Sequence, residues 1–191
     1  MGVYSKATSI EEAASETVTV GGSTFNAAVS ATPSGNLVQD FYRGAVILVT
    51  GATGFVGKAL VEKLLRSCPD IAVVYLLMRP KKGQDVASRY RQLLTNPVFD
   101  RLRTECGAHV LDKTRPIVGD VAEPGLGLSQ ADRKRLIAEV DVVFHSAATV
   151  RFDEGLRAAV TLNVMGTRSV IELTKQMPKL KVNAKCSTSV Y

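Results

Sequence analysis

The sequence contains no tryptophan, and its 191 residues include only three cysteines and two histidines. The cysteines, Cys68, Cys106 and Cys186, are widely spaced and form no Cys-x-x-Cys pair, which argues against a zinc site or a disulfide framework. They indicate reduced thiols in an intracellular protein. Because two histidines cannot build a histidine-rich centre, we expect no bound metal.

Long hydrophobic runs are also missing. The apolar run Ala72–Met78 is far shorter than the roughly 20 residues that cross a bilayer as a helix. No basic segment followed by an apolar one marks a signal peptide at the N-terminus. We therefore predict no transmembrane segment in this chain.

Acidic residues are in deficit, since the net charge is +6, and they are unevenly placed. Residues 1–40 contain one lysine and four acidic residues, a net charge of −3, which leaves +9 for the remainder. A basic folded part suits a polyanionic small ligand, an acidic membrane surface or a nucleic acid. We rank nucleic acid last, because no basic stripe interleaved with aromatic residues is present.

Strand and helix patterns alternate along the chain after an unpatterned start. Residues 1–36 are rich in Ala, Ser, Thr and Gly and are predicted to be a disordered tail, followed by an ordered domain over residues 37–191. The predicted strands are Ala45–Thr50, Ala72–Met78, Thr114–Gly119, Asp141–Ser146 and, as the weakest, Val182–Ser187.

Helical patterns separate these strands. They run from the glycine-rich turn to Cys68, over residues 86–94, after a capping sequence at Ser129, and over Leu156–Met177, where Leu156, Val160, Val164 and Ile171 share one side. The alternation predicts an α/β fold, a Rossmann-like doubly wound, mostly parallel sheet truncated after about the fifth strand. Ligands of such sheets bind at the carboxyl ends of the strands.

A glycine-rich stretch, GATGFVG at residues 51–57, joins the first strand to the first helix. Gly51 permits a tight turn, Gly54 lets the backbone approach a pyrophosphate, and Gly57 lets helix and sheet pack closely. The spacing differs from the GxGxxG of ordinary dehydrogenases, and no P-loop Gly-Lys-Ser/Thr follows. The predicted dinucleotide site here comprises Thr50, Gly51, Thr53, Gly54, Phe55, Val56 and Gly57.

The second strand ends in Arg79, where an NAD-binding site commonly carries an acidic residue. Arg79 can pair with a 2′-phosphate, and Lys81 and Lys82 add positive charge, so we expect NADPH as the cofactor; the alternative is a solvated basic loop. The wider basic face, which adds Arg89 and Arg91, is explained by solubility better than by binding of a ligand's phosphates.

Other candidates lie at later strand ends. After the third strand, Asp120 can meet the adenine amino group and Val121 its ring, although a turn-forming aspartate fits as well. After the fourth, Ala147 and Ala148 are small enough for backbone to line the cofactor, whereas His145 fits a packed or capping histidine better than a base.

Two unfavourable residues interrupt the helix Leu156–Met177. Asn163 is a poor residue for a helix interior, and Gly166 lowers helix propensity further. Two such departures close together are typical of a functional contact.

Four segments carry a family resemblance: FYRGAVILVTGATGFVGKALVEKLLRSCPD, YLLMRPKKGQD, GDVAEPGLGLS and VVFHSAATVRFDEGLR. Together they resemble alcohol-forming fatty acyl-CoA reductases, which are extended short-chain dehydrogenase/reductases, and the insect members most closely. The resemblance covers about residues 37–180. It implies a role in lipid metabolism, the NADPH-dependent reduction of long-chain fatty acyl-CoA to fatty alcohol.

The resemblance also implies a mechanism in which hydride from nicotinamide attacks the thioester carbonyl. In this class a Tyr-x-x-x-Lys pair supplies the proton, a helix Asn organises a water relay, and a Ser or Thr after the fifth strand binds the carbonyl oxygen. Asn163 matches the relay residue, and Ser187 or Thr188 matches the carbonyl donor. None of the five tyrosines is followed four residues later by lysine. We therefore expect an N-terminal cofactor-binding piece that lacks the catalytic pair and the C-terminal domain and is inactive alone.

Two other interpretations stay open. One is a non-catalytic NADP-binding or partner-binding scaffold derived from the reductase, in which a second copy covers the open sheet edge as a homodimer. The weaker one is an extended reductase for sugars or steroids, which the segments PKKGQD and RFDEGLR disfavour. Relatives work at endoplasmic-reticulum or peroxisomal membranes, so the resemblance suggests those membranes, while this segment alone is expected in the cytoplasm.

Overall fold

The computed structural model describes residues 18–20, 23–25, 36–81, 83–149 and 153–185 of two units, Met1–Pro33 and Ser34–Tyr191. In the first unit, β1 (Val18–Val20) and β2 (Ser23–Phe25) pair antiparallel. The composition did not predict this pair, although two glycines between β-branched stretches are a recognised hairpin signal. Disorder of residues 1–36 as a whole stays a prediction.

The described residues of the second unit form a five-stranded sheet with the order β5-β4-β3-β6-β7, and each pairing is parallel. Its strands are β3 (Val46–Thr50), β4 (Val73–Met78), β5 (Thr114–Val118), β6 (Val142–His145) and β7 (Val182–Lys185). The predicted positions are confirmed, with the first four strands one or two residues shorter than predicted. The chain runs outward from β3 to β5 and then returns to the other side of β3, so the strand order reverses between β3 and β6.

Helices among the described residues are α1 (Leu37–Tyr42), α2 (Phe55–Ser67), α3 (Val86–Leu94), α4 (Asp100–Cys106), α5 (Gln130–Glu139), α6 (Leu156–Ala159) and α7 (Gly166–Thr174). A π-helical turn, Val160–Met165, joins α6 to α7. The sequence did not predict α4, because Leu102 is its one buried residue and gives no periodicity. Within the described part of the chain, no helix is long and apolar enough to cross a membrane.

Side-chain caps start several of these helices, one of them at the predicted capping sequence. The Ser129 hydroxyl accepts the backbone N–H of Asp132 at 3.0 Å and opens α5, as its capping sequence predicts. Asp85 does the same for α3 through the N–H of Ser88 at 2.7 Å. These caps fix where each crossover turns back towards the sheet.

Two hydrophobic clusters cover opposite faces of the sheet. Along β3, Ile47 and Val49 enter the cluster that α2 and α4 cover, whereas Leu48 enters the cluster beneath α5 and α7. Every one of these β3 side chains is fully buried. A central strand buried on both faces is the arrangement of a doubly wound, Rossmann-like sheet, which confirms the predicted fold class.

The side of the long helix that packs against the core is not the apolar stripe that the sequence predicted. The predicted stripe, Leu156, Val160, Val164 and Ile171, is 40–80% exposed in the described structure. Val170 and Leu173 are buried instead. A second stripe of similar apolarity exists on this helix, and periodicity alone cannot decide which of two stripes meets the sheet.

Candidate functional site

A cavity of about 300 Å³ opens at the carboxyl ends of β3, β4, β5 and β6, where the strand order reverses. Eight of the predicted cofactor-binding residues line it. They are Gly51, Thr53 and Gly54 after β3, Arg79 after β4, Asp120 and Val121 after β5, and Ala147 and Ala148 after β6. Open α/β sheets bind their ligands in this crevice.

The other four predicted residues do not line the cavity. Thr50 and Gly57 are buried beneath it, and Phe55 and Val56 are 87% and 49% exposed on the first turn of α2. Their backbone N–H groups lie in the first turn of α2, the part of a helix that commonly binds anions.

Gly51 and Gly57 make the closest contacts of the turn. Gly51 has φ = +75°, and a Cβ on it would lie 2.6 Å from the backbone nitrogen of Ala147. A Cβ on Gly57 would lie 2.2 Å from the carbonyl oxygen of Gly51. Both positions require glycine, because the exit of β3 packs directly against the exit of β6 and against α2.

The turn has the features that a pyrophosphate needs. Gly54 is the N-cap of α2 and no side chain caps this helix, so its first N–H groups remain open to an anion. A Cβ on Gly54 would meet its nearest atom, the Gly51 carbonyl oxygen, only at 3.2 Å. Internal packing therefore requires glycine less strictly at position 54 than at position 51. Close approach of a ligand to the backbone is a further physical reason for glycine at position 54.

Arg79 and Asp120 form an ion pair on the cavity wall, with 3.2 Å between Nη1 and Oδ2. The other oxygen of Asp120 accepts the backbone N–H of Ala122 at 3.0 Å, which is the turn-forming arrangement that the sequence left open. The protein therefore engages both oxygens of Asp120. Arg79 is 61% exposed and lines the cavity, and its guanidinium has further N–H donors besides the one that Asp120 accepts.

Two more basic residues, Lys81 and Arg89, line the same wall. Arg89 reaches over from α3 and donates to the backbone carbonyl of Arg79 and to Thr53 Oγ1, the latter at 3.4 Å. A second cavity of about 250 Å³ shares Thr53, Lys81 and Arg89 with the first and adds Lys58. From the sequence, Lys81 is assigned to the positive charge beside a 2′-phosphate, whereas Arg89 is named only as part of the wider basic face.

Five further residues of the wall were missed by sequence reasoning. Four of them lie within two residues of a predicted residue in the chain, so strand-end position was the available signal: Leu77, Met78, Gly119 and Ser146. The fifth, Leu162, comes from the π-helical turn, and no local pattern predicts its approach to the sheet edge.

His145 is the centre of a buried polar chain beneath the cavity. Its Nδ1 lies 2.6 Å from Thr50 Oγ1, and its Nε2 lies 3.1 Å from Thr167 Oγ1 on α7. The Thr50 hydroxyl accepts the backbone N–H of Ala147 at 3.2 Å, and the Thr167 hydroxyl donates to the backbone carbonyl of Asn163 at 2.6 Å. The packed role favoured for His145 is therefore what the structure shows.

Burial keeps the His145 imidazole neutral. The side chain is 2% exposed, and this desolvation, helped by the positive charge of Lys185, lowers the pKa of His145 from 6.5 to about 4. The ring is consequently neutral over the physiological range and keeps one donor and one acceptor nitrogen.

Asn163 lies in the π-helical turn and faces the loop after β6. Its Oδ1 accepts the Thr149 N–H at 2.9 Å, and its Nδ2 donates to the Thr149 carbonyl at 3.1 Å. Single π-helical turns frequently mark functional positions. The nearby Gly166 has a packing reason, because a Cβ there would lie 2.9 Å from the Val121 carbonyl oxygen.

Three predicted residues, Ser187, Thr188 and Lys82, lie outside the described residues. The carbonyl-donor assignment of Ser187 or Thr188 and the contribution of Lys82 therefore stay predictions.

Comparison with known proteins identifies relatives of this architecture. The NAD-binding family described as Male sterility protein matches residues 49–191. Fatty acyl-CoA reductase 1 of Mus musculus is 47% identical over 152 residues, which are 80% of this chain and 29% of the mouse protein. Fatty acyl-CoA reductase 2 of Bos taurus is 44% identical over 154 residues, 81% of this chain and 30% of the bovine protein. The chain thus spans about 30% of the length of these curated relatives.

Solved structures with a similar architecture include reductase domains. The terminal R domain from the myxalamid PKS-NRPS pathway is 30% identical with a TM-score of 0.64, over 77% of this chain and 35% of that domain. The reductase domain of a nonribosomal peptide synthetase from Mycobacterium tuberculosis is 32% identical with a TM-score of 0.59, over 75% of this chain and 33% of that one. Because the family match covers residues 49–191, well over half of the chain, the chain belongs to the NAD-binding family described as Male sterility protein, and its cofactor is a nicotinamide dinucleotide.

Proposed function

We propose that this chain is the cofactor-binding part of an NADPH-dependent fatty acyl-CoA reductase that converts long-chain acyl-CoA to fatty alcohol. One observation carries the proposal: a cavity that joins a bare glycine turn to Arg79 occurs in a chain 44–47% identical to proteins named fatty acyl-CoA reductases. When bound, the reduced nicotinamide supplies hydride to the thioester carbonyl carbon. The cavity supports the cofactor, and the similarity supports the substrate class.

The charges around the end of β4 support NADPH over NADH. Arg79, Lys81 and Arg89 line the cavity there, and Asp120 neutralises only one of these three cations. Arg89 is held beside β4 by its bond to the Arg79 carbonyl, so its guanidinium does not have to be ordered by the ligand. A 2′-phosphate would add charge-assisted hydrogen bonds that the 2′-hydroxyl of NADH cannot make.

The opposite end of the cavity supports the nicotinamide position. Ala147 and Ala148 follow β6, on the other side of β3 from the strands that carry Arg79 and Asp120. A dinucleotide whose pyrophosphate lies at the β3 turn therefore has its second nucleoside over Ala147, Ala148 and the loop that Asn163 holds. The acyl-CoA carbonyl would approach from this side. The assignment of Ser187 or Thr188 as its hydrogen-bond donor rests on the family resemblance.

Binding of the two nicotinamide cofactors to the purified 191-residue chain tests the first half of the proposal. We expect NADPH to bind at least about tenfold more tightly than NADH, as one charge-assisted hydrogen bond would give. Cofactor fluorescence and calorimetric titration both report this ratio. Equal affinities would contradict the NADPH assignment, and the absence of binding of either cofactor would contradict the proposed function.

A chimaera tests the second half. In it, this chain replaces the matching segment of fatty acyl-CoA reductase 1 of Mus musculus, to which it is 47% identical. The chimaera should form fatty alcohol from a long-chain acyl-CoA and NADPH, whereas the 191-residue chain, which has no Tyr-x-x-x-Lys, should bind NADPH without turnover. A folded chimaera that binds NADPH but leaves acyl-CoA unchanged would contradict the substrate assignment.

A further inference from the structure

We propose that His145 is a positioning residue of the cofactor site, which couples the Ala147 backbone on the cavity wall to Asn163 through the hydroxyls of Thr50 and Thr167. The inference rests on the proposed dinucleotide function and assigns a role to a side chain that reaches no ligand. His145 and Thr50 are 2% and 0% exposed, so they act only through the groups that they hold.

The hydrogen bonds of this chain have one consistent direction. Thr167 donates its hydroxyl proton to the Asn163 carbonyl, so its oxygen must accept the proton on His145 Nε2. His145 Nδ1 is then the acceptor and receives the Thr50 hydroxyl proton.

The same direction leaves the Thr50 oxygen free to accept the Ala147 N–H. Each hydroxyl donates once and accepts once, and the ring carries one proton, on Nε2. Reversing any one bond would leave two donors or two acceptors facing each other, so the arrangement fixes the tautomer and both hydroxyl rotamers together.

The two ends of the chain lie on the same side of the site. Ala147 follows β6, and Asn163 holds Thr149 two residues further along the same loop. Arg79 and Asp120 lie on the other wall, after β4 and β5. The chain therefore positions the loop beneath the nicotinamide half of the dinucleotide and leaves the adenosine half to other groups.

This division gives a readout that general destabilisation does not produce. Adenosine 2′,5′-bisphosphate contains the adenosine half of NADPH with its 2′-phosphate, and it lacks the nicotinamide half. Breaking the chain should weaken NADPH and leave the bisphosphate unaffected. A variant that is merely less folded would weaken both ligands equally, because both bind the same folded state.

The test uses Thr167→Val in the 191-residue chain, with Thr174→Val as the matched control. Thr174 lies two turns further along α7, is buried, and donates to the Ile171 carbonyl at 2.9 Å without contacting His145. Thr167→Val should raise the Kd for NADPH about five- to tenfold, as loss of roughly one hydrogen bond would. The Kd for the bisphosphate should change less than about twofold. Thr174→Val should leave the Kd for both ligands unchanged.

His145→Asn breaks the same link from the other side. The amide oxygen of Asn can replace Nδ1 as the acceptor of the Thr50 proton, but the side chain is too short to reach Thr167. The double variant should therefore lose no more NADPH affinity than His145→Asn or Thr167→Val alone. Both substitutions remove the same coupling, so their effects are not additive. Thr167→Ser, which keeps the hydroxyl, should restore the affinity.

Three results would overturn the inference: equal losses for both ligands, no loss in folded Thr167→Val, or additive losses in the double variant. These outcomes are distinct from failure of the proposed function. That function fails if the unmodified chain binds neither NADPH nor the bisphosphate. The positioning role fails alone if the unmodified chain binds both and the variants do not separate them.

Discussion

The side-chain amide of Asn163 holds the backbone of Thr149 in both directions, accepting its N–H at 2.9 Å and donating to its carbonyl at 3.1 Å. An asparagine amide offers the same donor and acceptor pair as a peptide group, so it can replace a strand neighbour for one residue. Thr149 directly follows Ala148 on the cavity wall. The pairing thus fixes the chain as it leaves β6 and explains why a poor helix residue lies inside the long helix.

Asn163→Ala should release this loop. Both hydrogen bonds are lost, which should lower the free energy of unfolding by about 1–3 kcal/mol. The Thr149 amide should also exchange with solvent faster, as hydrogen-exchange mass spectrometry or NMR would show. Asn183→Ala is the control, because Asn183 is exposed and donates one bond, to Thr174 Oγ1 at 3.3 Å. Equal exchange at Thr149 in the two variants would show that the amide does not hold the loop.

Arg79→Gln should reduce discrimination between the two nicotinamide cofactors. A guanidinium paired with a phosphate contributes about 1.5–3 kcal/mol, so NADPH affinity should fall roughly ten- to hundredfold while NADH affinity stays nearly constant. Arg91→Gln serves as the control, since Arg91 is exposed on α3 and contacts Ser88 Oγ at 3.4 Å, away from the cavity wall. Titration of each variant with both cofactors checks the ratio. If Arg91→Gln shifts it as much as Arg79→Gln does, the effect is general charge and not a specific contact.

Gly57→Ala should destabilise the fold and abolish dinucleotide binding together. The new methyl group would lie 2.2 Å from the Gly51 carbonyl oxygen, so the glycine turn or α2 must move. Such overpacking costs about 1–3 kcal/mol or more, which exceeds the helix propensity gained by alanine. Gly155→Ala is the control, because a Cβ there meets no atom of the described residues within 4 Å. Urea unfolding and NADPH titration of both variants would reveal the difference, and near-native behaviour of Gly57→Ala would contradict the close contact.

His145 should make the protein less stable as the pH falls from about 6.5 to about 4. The pKa of His145 is about 4 in the folded protein and 6.5 in the unfolded chain. Between these two pH values His145 is protonated in the unfolded state and neutral in the folded state, which favours unfolding. Above about pH 6.5 His145 does not change the free energy of unfolding with pH. Below about pH 4 the total loss of unfolding free energy approaches about 3 kcal/mol. Unfolding free energies of the unmodified chain and His145→Asn between pH 7 and pH 4 should converge as the pH falls. Parallel curves would contradict this assignment.

Local sequence signals predicted strands β3 to β6 of the parallel sheet to within one or two residues, whereas β1 and β2 were not predicted. A parallel strand buried on both faces is a continuous apolar run, and β3 shows why: Ile47 and Leu48 point to opposite faces, yet neither is exposed. The same logic missed α4, whose one buried residue is Leu102. Helical periodicity also predicted the wrong buried side of the long helix. Leu156 and Val164 have helical spacing, but both are exposed in the structure.

The sequence by itself determined the glycine turn. Gly51 and Gly57 are only six residues apart in the sequence and pack closely against each other. Geometry over so short a stretch follows from the local sequence. Tertiary structure alone decided which groups meet across the sheet edge. Arg79 and Asp120 are 41 residues apart, and Thr50 and His145 are 95 apart. Nothing in either strand specifies its neighbour, since strand order is set by how the crossovers bury both faces of the sheet.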